Sequence, residues 1–203
     1  MTTFRTNSLA ETLLPDRRLA RLLGEAGLVV AGSLVIALSA KAKVPLGVVD
    51  MSLQTLAILV IAGLYGFRLG TATILAYLAE GMAGFPVFQG TPEKGIGLAY
   101  MVGPTGGYLL GFVAMTMIAG WAADRGWGRR PFRLALAMFL GEIVMLLLGA
   151  AWLAWLFGVD KAIAWGVGPF VLTDMVKVAL AAALVAALSG STGWWSRKLG
   201  SSV

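Results

Sequence analysis

Two ionisable residues, Asp174 and Lys177, lie three positions apart in an apolar segment that begins at Gly168-Pro169. In a helix this spacing places both side chains on one face. There the carboxylate offers hydrogen-bond acceptors and the ammonium offers donors. Charged side chains in hydrocarbon are costly, and they usually face a cavity or a partner. We predict that this pair forms the floor of a pocket for a small polar ligand. A structural ion pair that fixes helix packing is the alternative interpretation.

A second basic residue, Lys94, lies in the long loop between Val87 and Gly97, which has glycines on both sides of a charged centre. Such a loop is typical of a mobile lid, and a lysine there can meet a ligand carboxylate. An ordinary solvated charge is the alternative for Lys94.

Three further polar residues are candidates with more than one explanation. Glu80 ends a predicted helix, where simple solvation is the default. Tyr108 follows Gly103-Pro104-Thr105 and can either pack or line a pocket. Glu142 lies about 17 Å into its helix at 1.5 Å per residue; it is either protonated or paired inside the bundle, and we assign it no role.

The composition predicts an integral membrane protein that must hold these residues on helices. Of 203 residues, 59% are hydrophobic and 13% are charged, and the mean hydropathy is +0.85. Soluble domains carry about 25% charged residues. The chain has no Cys and no His, which excludes disulfides, zinc–thiolate sites and Ser-His catalysis.

The fold class predicted is all-α: a compact bundle of six transmembrane helices with both termini in the cytoplasm. The division is a cytoplasmic tail over 1–24, a membrane domain over 25–190 and a second tail over 191–203. The six spans lie approximately at 25–40, 51–66, 69–83, 104–123, 132–157 and 169–189.

The distribution of basic residues supports this orientation. With the N-terminus inside, eleven Lys and Arg fall on the inner segments: Arg5, Arg17, Arg18, Arg21, Arg68, Arg125, Arg129, Arg130, Arg133, Arg197 and Lys198. The outer loops hold four: Lys41, Lys43, Lys94 and Lys161. This is the positive-inside pattern, so the net charge of +6 indicates topology and not a nucleic-acid partner.

Two parts of this topology have alternatives. The second and third spans are each about 24 Å long, against a hydrocarbon core of about 30 Å. A re-entrant pair is therefore the alternative, although it would place Arg68 in hydrocarbon.

The first span, with Ala40-Lys41-Ala42 after it, also resembles a signal peptide; we expect it to be retained. Its small residues Gly27 and Ala31 favour a close helix contact, within the bundle or with a partner.

Several blocks of this sequence resemble the BioY family, the biotin-binding S components of energy-coupling factor (ECF) vitamin transporters. The resemblance covers approximately residues 44–188. It rests on the blocks at 52–57 (SLQTLA), 66–70 (GFRLG), 84–88 (GFPVF), 95–97 (GIG), 103–108 (GPTGGY) and 168–170 (GPF), followed by Asp174 and Lys177.

The resemblance implies a multi-pass subunit of the bacterial inner membrane that captures biotin on the outer side, under a lid formed by two outer loops. It implies contacts from Asp174, Lys177 and Lys94. A polar residue near the end of the third helix should also contribute, and Glu80 is the candidate. Tyr77, Phe85, Phe88 and Tyr108 would supply apolar walls.

The implied chain is not an enzyme and binds no cofactor or metal. ATP would act only through partners, which are an ECF transmembrane coupling protein and two ATPase subunits. A stand-alone biotin transporter, or an S component for another small vitamin, is the alternative function. A membrane enzyme with Asp174 as base or nucleophile, and an assembly subunit without a ligand, are further hypotheses.

Overall fold

The chain folds into a helical membrane protein. The structure is a computed structural model, and it describes Ala10 and residues 17–44 and 49–200, with the backbone alone over 191–200. Its helices are α1 (Arg18–Lys41), α2 (Gln54–Met82), α3 (Gly97–Met101), α4 (Gly106–Asp124), α5 (Pro131–Phe157), α6 (Val159–Gly166) and α7 (Val171–Gly200). A 3₁₀ turn covers Trp127–Arg129, and the strands β1 (Lys43–Val44) and β2 (Met51–Ser52) pair antiparallel.

Five of the described helices are long and apolar enough to cross a bilayer: α1, α2, α4, α5 and residues 171–190 of α7. The prediction of six membrane helices is therefore not confirmed, because the second and third predicted spans belong to one element, α2. The predicted inner residue Arg5 lies outside the described residues, and so do the side chains of Arg197 and Lys198.

Helix α2 is a hairpin rather than one straight rod. Gly66 has φ 76° and ψ −173°, which is non-helical, and glycine reaches positive φ without a steric penalty. A Cβ built on Gly70 would lie 3.3 Å from Cα of Ala62, and Gln54 Nε2 lies 2.9 Å from the Tyr77 hydroxyl. In a straight helix Gln54 and Tyr77 would be about 34 Å apart. The chain therefore reverses at Gly66.

Each limb of the hairpin is shorter than the hydrocarbon core. At 1.5 Å per residue, the limb 54–65 is about 18 Å long and the limb 67–82 is about 24 Å long, whereas a bilayer core is about 30 Å thick. The whole of α2 is therefore long enough to count as one membrane span, whereas each limb alone is too short.

The hairpin bend is held by α4. A Cβ on Gly120 would lie 2.8 Å from the backbone of Gly66, so only glycine lets the two helices approach this closely. Asp124, the last residue of α4, accepts a hydrogen bond at 3.0 Å from the backbone N–H of Phe67. That N–H lies in the first turn of the second limb, where helices lack internal partners.

We expect Asp124→Ala to destabilise the folded protein by about 0.5–2 kcal/mol, because it removes an acceptor at a helix start. The measurement is thermal unfolding in detergent. Asp124→Asn is the control, since its amide oxygen can still accept from Phe67 and should preserve most of the stability. Equal unfolding temperatures for Asp124→Ala and the unchanged protein would contradict this role.

Helices α4 and α5 pack closely against each other. A Cβ on Gly107 would overlap Trp152, and one on Gly111 would lie 2.8 Å from Cα of Met145. Glycine at both positions therefore lets the two helices approach closely. Gly103 precedes the helix and lies close to its own backbone, because a Cβ there would meet the Tyr100 carbonyl at 3.0 Å.

Different residues gather at the two ends of the α2 hairpin. The bend at Gly66 lies beside Asp124, and Arg125 stacks on Trp121 at 3.8 Å at this same end. At the opposite end of the hairpin lie Lys41, Lys43 and Lys94, which contact Thr91 or Asp50. These residues belong to the end of α1 and to the connections 42–53 and 83–96, which we call the first and second outer loops after their predicted side of the membrane. The site described next lies at this second end.

Candidate functional site

The ion pair predicted from the sequence forms on the first turns of α7. The helix starts after Gly168-Pro169, and the backbone N–H of Asp174 donates to the Phe170 carbonyl at 2.8 Å. Lys177 Nζ donates to Asp174 Oδ1 at 2.9 Å. The two residues are only 2% and 7% exposed, respectively, so a carboxylate and an ammonium are buried together.

A cavity lies beside this pair, and both residues line it. The empty space measures about 510 Å³, including the part that is open to the outside. Its other lining residues come from the first outer loop, the α2 hairpin, the second outer loop and helices α4, α5 and α7. They are Val49, Asp50, Ser52, Gln54, Thr55, Tyr77, Phe88, Gln89, Tyr100, Thr105, Tyr108, Leu109, Phe112, Met145, Leu146 and Phe170.

Two polar atoms among the lining residues lack a hydrogen-bond partner within the described part of the chain. They are Oδ2 of Asp174 and Oγ1 of Thr55, and both are buried. Buried polar groups are nearly always paired in folded proteins, and each exception needs an explanation. Unpaired groups on a cavity wall are explained if a ligand pairs with them.

An aromatic group closes the cavity on the side of the second outer loop. Phe88 is fully buried; it stacks on Tyr100 at 5.0 Å and meets Tyr77 edge-on at 5.4 Å between ring centroids. A Cβ on Gly81 would overlap the Phe88 ring, so this glycine makes room for it. Burial raises the pKa of the Tyr100 hydroxyl above its ordinary value, so this wall stays neutral.

Hydrogen bonds fix two further tyrosines around the cavity. Gln54 donates to the Tyr77 hydroxyl at 2.9 Å, and that hydroxyl donates to the Val87 carbonyl at 3.2 Å. The Tyr108 hydroxyl donates to the Gly166 carbonyl at 2.7 Å. These bonds join both limbs of α2 to the second outer loop, and α4 to the end of α6.

Lysines tie the two outer loops over the cavity. Lys41 Nζ donates to the Phe88 carbonyl at 2.7 Å and to the Thr91 carbonyl at 2.9 Å. Asp50 is 3% exposed; its Oδ1 accepts a hydrogen bond from Lys94 Nζ at 2.8 Å, and its Oδ2 lies 3.7 Å from Lys43 Nζ. The loop 83–96 is therefore held down by charges from both α1 and the first outer loop.

The structure brings five of the predicted site residues together around the cavity: Asp174, Lys177, Tyr77, Phe88 and Tyr108. Lys94 is not among the described residues that line the cavity, but it contacts Asp50, which does line it. Glu80 and Phe85 are not among the described residues that line the cavity. Glu80 instead accepts a hydrogen bond at 2.7 Å from Ser33 of α1, which joins two helices. Phe85 is 61% exposed.

Sequence reasoning assigned no role to several cavity residues, chiefly Asp50, Gln54, Thr55, Tyr100 and Thr105. Gln54 and Thr55 had one indication, since two polar side chains open the otherwise mostly apolar first limb of α2. Asp50 had none, because its pairing with Lys94 spans 44 positions and depends on how the loops fold.

Glu142 of α5 lies next to the pair on α7. It is 3% exposed, and neither carboxyl oxygen has a hydrogen-bond partner within the described part of the chain. It is close enough to Asp174 and Lys177 for electrostatic interaction with both. The Asp174–Lys177 pair thus has a third ionisable group, Glu142, as its neighbour.

Comparison with known proteins identifies the family. A sequence model of the BioY family matches residues 11–193. A protein of Pyrococcus horikoshii named "Probable biotin transporter BioY" is 36% identical over 168 residues, covering 83% of this chain and 98% of the relative. The biotin transporter BioY of Thermotoga maritima is 34% identical over 164 residues, covering 80% of this chain and 92% of the relative. These relatives are named as transporters and not as enzymes.

A solved structure shares the fold. The crystal structure of the S-component for biotin from an ECF-type ABC transporter superimposes with a TM-score of 0.73 at 23% identity, covering 83% of this chain and 92% of that chain. The family match covers residues 11–193 and so includes every residue of the cavity described above. The chain therefore belongs to the BioY family.

Proposed function

We propose that this chain is a biotin-uptake subunit that captures biotin on the outer face of the membrane. The observation that carries the proposal is the buried Asp174–Lys177 pair beside an aromatic-lined cavity, in a chain of the BioY family. A mostly apolar pocket with few polar groups is the usual composition of a small-molecule site.

The ureido head of biotin matches the floor of the cavity. One of its N–H groups can donate to Oδ2 of Asp174, which has no partner among the described residues. Its carbonyl can accept from the ammonium of Lys177. Phe88, Tyr108 and Phe170 line the same cavity and can pack against the fused rings. This orientation satisfies the ligand's polar groups and the protein's groups together.

The carboxylate tail of biotin then points to the mouth, where the charges favour an anion. Lys41, Lys43 and Lys94 gather there against Asp50 and Glu93. Lys94 is the predicted partner of the tail. Its ammonium has three N–H donors, so it can donate to Asp50 and to the carboxylate of the ligand at the same time.

The proposed topology has six crossings of the bacterial inner membrane and both termini in the cytoplasm. The α2 hairpin supplies two antiparallel limbs, and the positive-inside distribution orients the bend inward. The hairpin bend and the cavity lie at opposite ends of α2, which is consistent with a site open to the outside.

Transport needs energy, and we propose that an ECF module with a transmembrane coupling protein and two ATPase subunits supplies it. The outward face of α1 favours a protein contact, because Gly27 and Ala31 are exposed and a Cβ on Gly27 would meet nothing within 4 Å. Uptake of labelled biotin, with the chain expressed alone and with a module, separates this proposal from a stand-alone transporter.

The experiment that tests the ligand is a binding panel on detergent-purified protein. We expect biotin to bind with one site per chain, whereas thiamine, riboflavin, folate and pantothenate should not bind. Intrinsic fluorescence can report binding, since Trp152 donates to the Gly103 carbonyl at 2.8 Å, close to cavity residue Thr105. Absence of biotin binding, or tight binding of another vitamin, would overturn the proposal.

An analogue sharpens this test. In 2-iminobiotin the ureido carbonyl is replaced by an imino group, which is cationic when protonated and cannot accept from Lys177. We expect it to bind far more weakly than biotin, whereas the methyl ester of biotin should lose only the contact at the mouth. A stronger effect of the ester than of the imino analogue would reverse the proposed orientation.

A further inference from the structure

The buried carboxyl group of Glu142 has no role in the binding scheme above. It is 3% exposed, and both of its oxygens lack a hydrogen-bond partner among the residues that the structure describes. From α5, the residues that line the cavity are Met145 and Leu146. Glu142 therefore lies behind the floor and not on it.

The groups that face Glu142 define its environment. From α7 these are Asp174 and Lys177, which interact with it electrostatically. From α4, Tyr108 lies near Asp174, and its hydroxyl is bonded to the Gly166 carbonyl. The charged residues of α6, Asp160 and Lys161, are exposed, as is Arg129 of the 3₁₀ turn.

Charge balance determines the state of this cluster. With both carboxyl groups ionised, one ammonium would leave a net negative charge in a buried site, which is very costly. Lys177 already donates to Oδ1 of Asp174. A single proton on Glu142 makes the cluster neutral and turns an unpaired oxygen into a donor. The nearby acceptor that lacks a partner is Oδ2 of Asp174.

We propose that Glu142 carries a proton, donates it in a hydrogen bond to Oδ2 of Asp174, and so positions that carboxylate for the ligand. A carboxylate oxygen has two lone pairs, so Oδ2 can accept from Glu142 and from a ureido N–H together. Glu142 is then a positioning residue: it acts through Asp174. The inference rests on the proposed function, since biotin is the ligand that Asp174 would meet.

Two variants separate hydrogen bonding from packing. Glu142→Gln keeps an N–H donor and the side-chain shape, and we expect biotin affinity within about threefold of the unchanged protein. Glu142→Leu removes the donor, and we expect a loss of at least about tenfold, in line with an unpaired buried acceptor. Equal affinity of Glu142→Leu and the unchanged protein would overturn the proposal, as would equal losses in both variants at unchanged thermal stability.

The pH profile adds a readout that packing alone would not change. Loss of the Glu142 proton as the pH rises would place a second negative charge beside Asp174, so the affinity of the unchanged protein should fall. Glu142→Gln has no proton to lose there and should show a flatter profile. Identical profiles would overturn the proposal.

An infrared measurement makes the inference independent of the ligand. A protonated carboxyl group absorbs at a carbonyl stretch that carboxylates lack, and the difference spectrum between the unchanged protein and Glu142→Gln should contain this band at neutral pH. If biotin does not bind but the band is present, the proposed function fails and the protonated Glu142 stands. If biotin binds but the band is absent, the inference fails alone.

Discussion

Replacing Lys177 by methionine should weaken biotin binding by about a hundredfold. Methionine keeps most of the apolar stem but removes the ammonium, so the ureido carbonyl loses its donor in a buried site. A hydrogen bond to a charged group is worth about 1.5–3 kcal/mol, and each 1.4 kcal/mol corresponds to about tenfold in affinity. Isothermal titration of purified protein with biotin measures the effect.

The same substitution should also lower the stability of the fold, because it leaves Asp174 without its counter-ion. Removing one partner of a buried ion pair costs about 3–5 kcal/mol, whereas replacing both is far less harmful. The double variant Asp174→Asn with Lys177→Met is therefore the control: it should recover thermal stability without recovering biotin binding. Recovery of both, or full affinity in the single variant, would show that the pair is structural.

Replacing Gly81 by valine should weaken biotin binding by about 5- to 150-fold. The new side chain would occupy the space of the Phe88 ring, which a Cβ alone already overlaps. Phe88 cannot retreat into the bundle because Tyr77 and Tyr100 pack against it, so the outer loop must lift. Overpacking of a core typically costs about 1–3 kcal/mol, which corresponds to this range of affinity.

The matched control for this variant is Gly27→Val on α1. A Cβ on Gly27 meets no atom within 4 Å, so the same substitution in another helix should leave binding within about twofold. The added variant Phe88→Ala in the Gly81→Val background should let the loop settle again and restore part of the affinity. Equal biotin affinities in Gly81→Val and Gly27→Val would show that the position of the Phe88 ring against Gly81 does not affect ligand binding.

Much of the helical architecture follows from composition and charge. Long apolar runs bounded by glycine, proline and basic residues predict where α1, α4, α5 and α7 lie, since a helix in hydrocarbon must satisfy its own backbone. The α2 hairpin was harder, because 16-residue spans and a re-entrant pair have the same hydropathy. What distinguishes them is the positive φ of Gly66 and the packing of Gly120 against it, which are tertiary facts.

The site divides in the same way. Asp174 and Lys177 share one helix, so their contact follows from the three-residue spacing alone. Glu80 was placed by its position at the end of a helix, but its partner Ser33 comes from α1, and no local pattern indicates that contact. The pairing of Asp50 with Lys94 likewise joins two loops that only the folded chain brings together.

The two limbs of the α2 hairpin are connected at both ends. The limbs meet at Gly66 on one side of the molecule. On the other side, Gln54 of the first limb donates a hydrogen bond to the hydroxyl of Tyr77 in the second limb. A rotation of one limb about Gly66 would therefore displace Gln54 relative to Tyr77, and both residues line the cavity. Coupling between two sites is reciprocal: if a rotation at Gly66 weakens ligand binding, then ligand binding opposes that rotation by the same free energy.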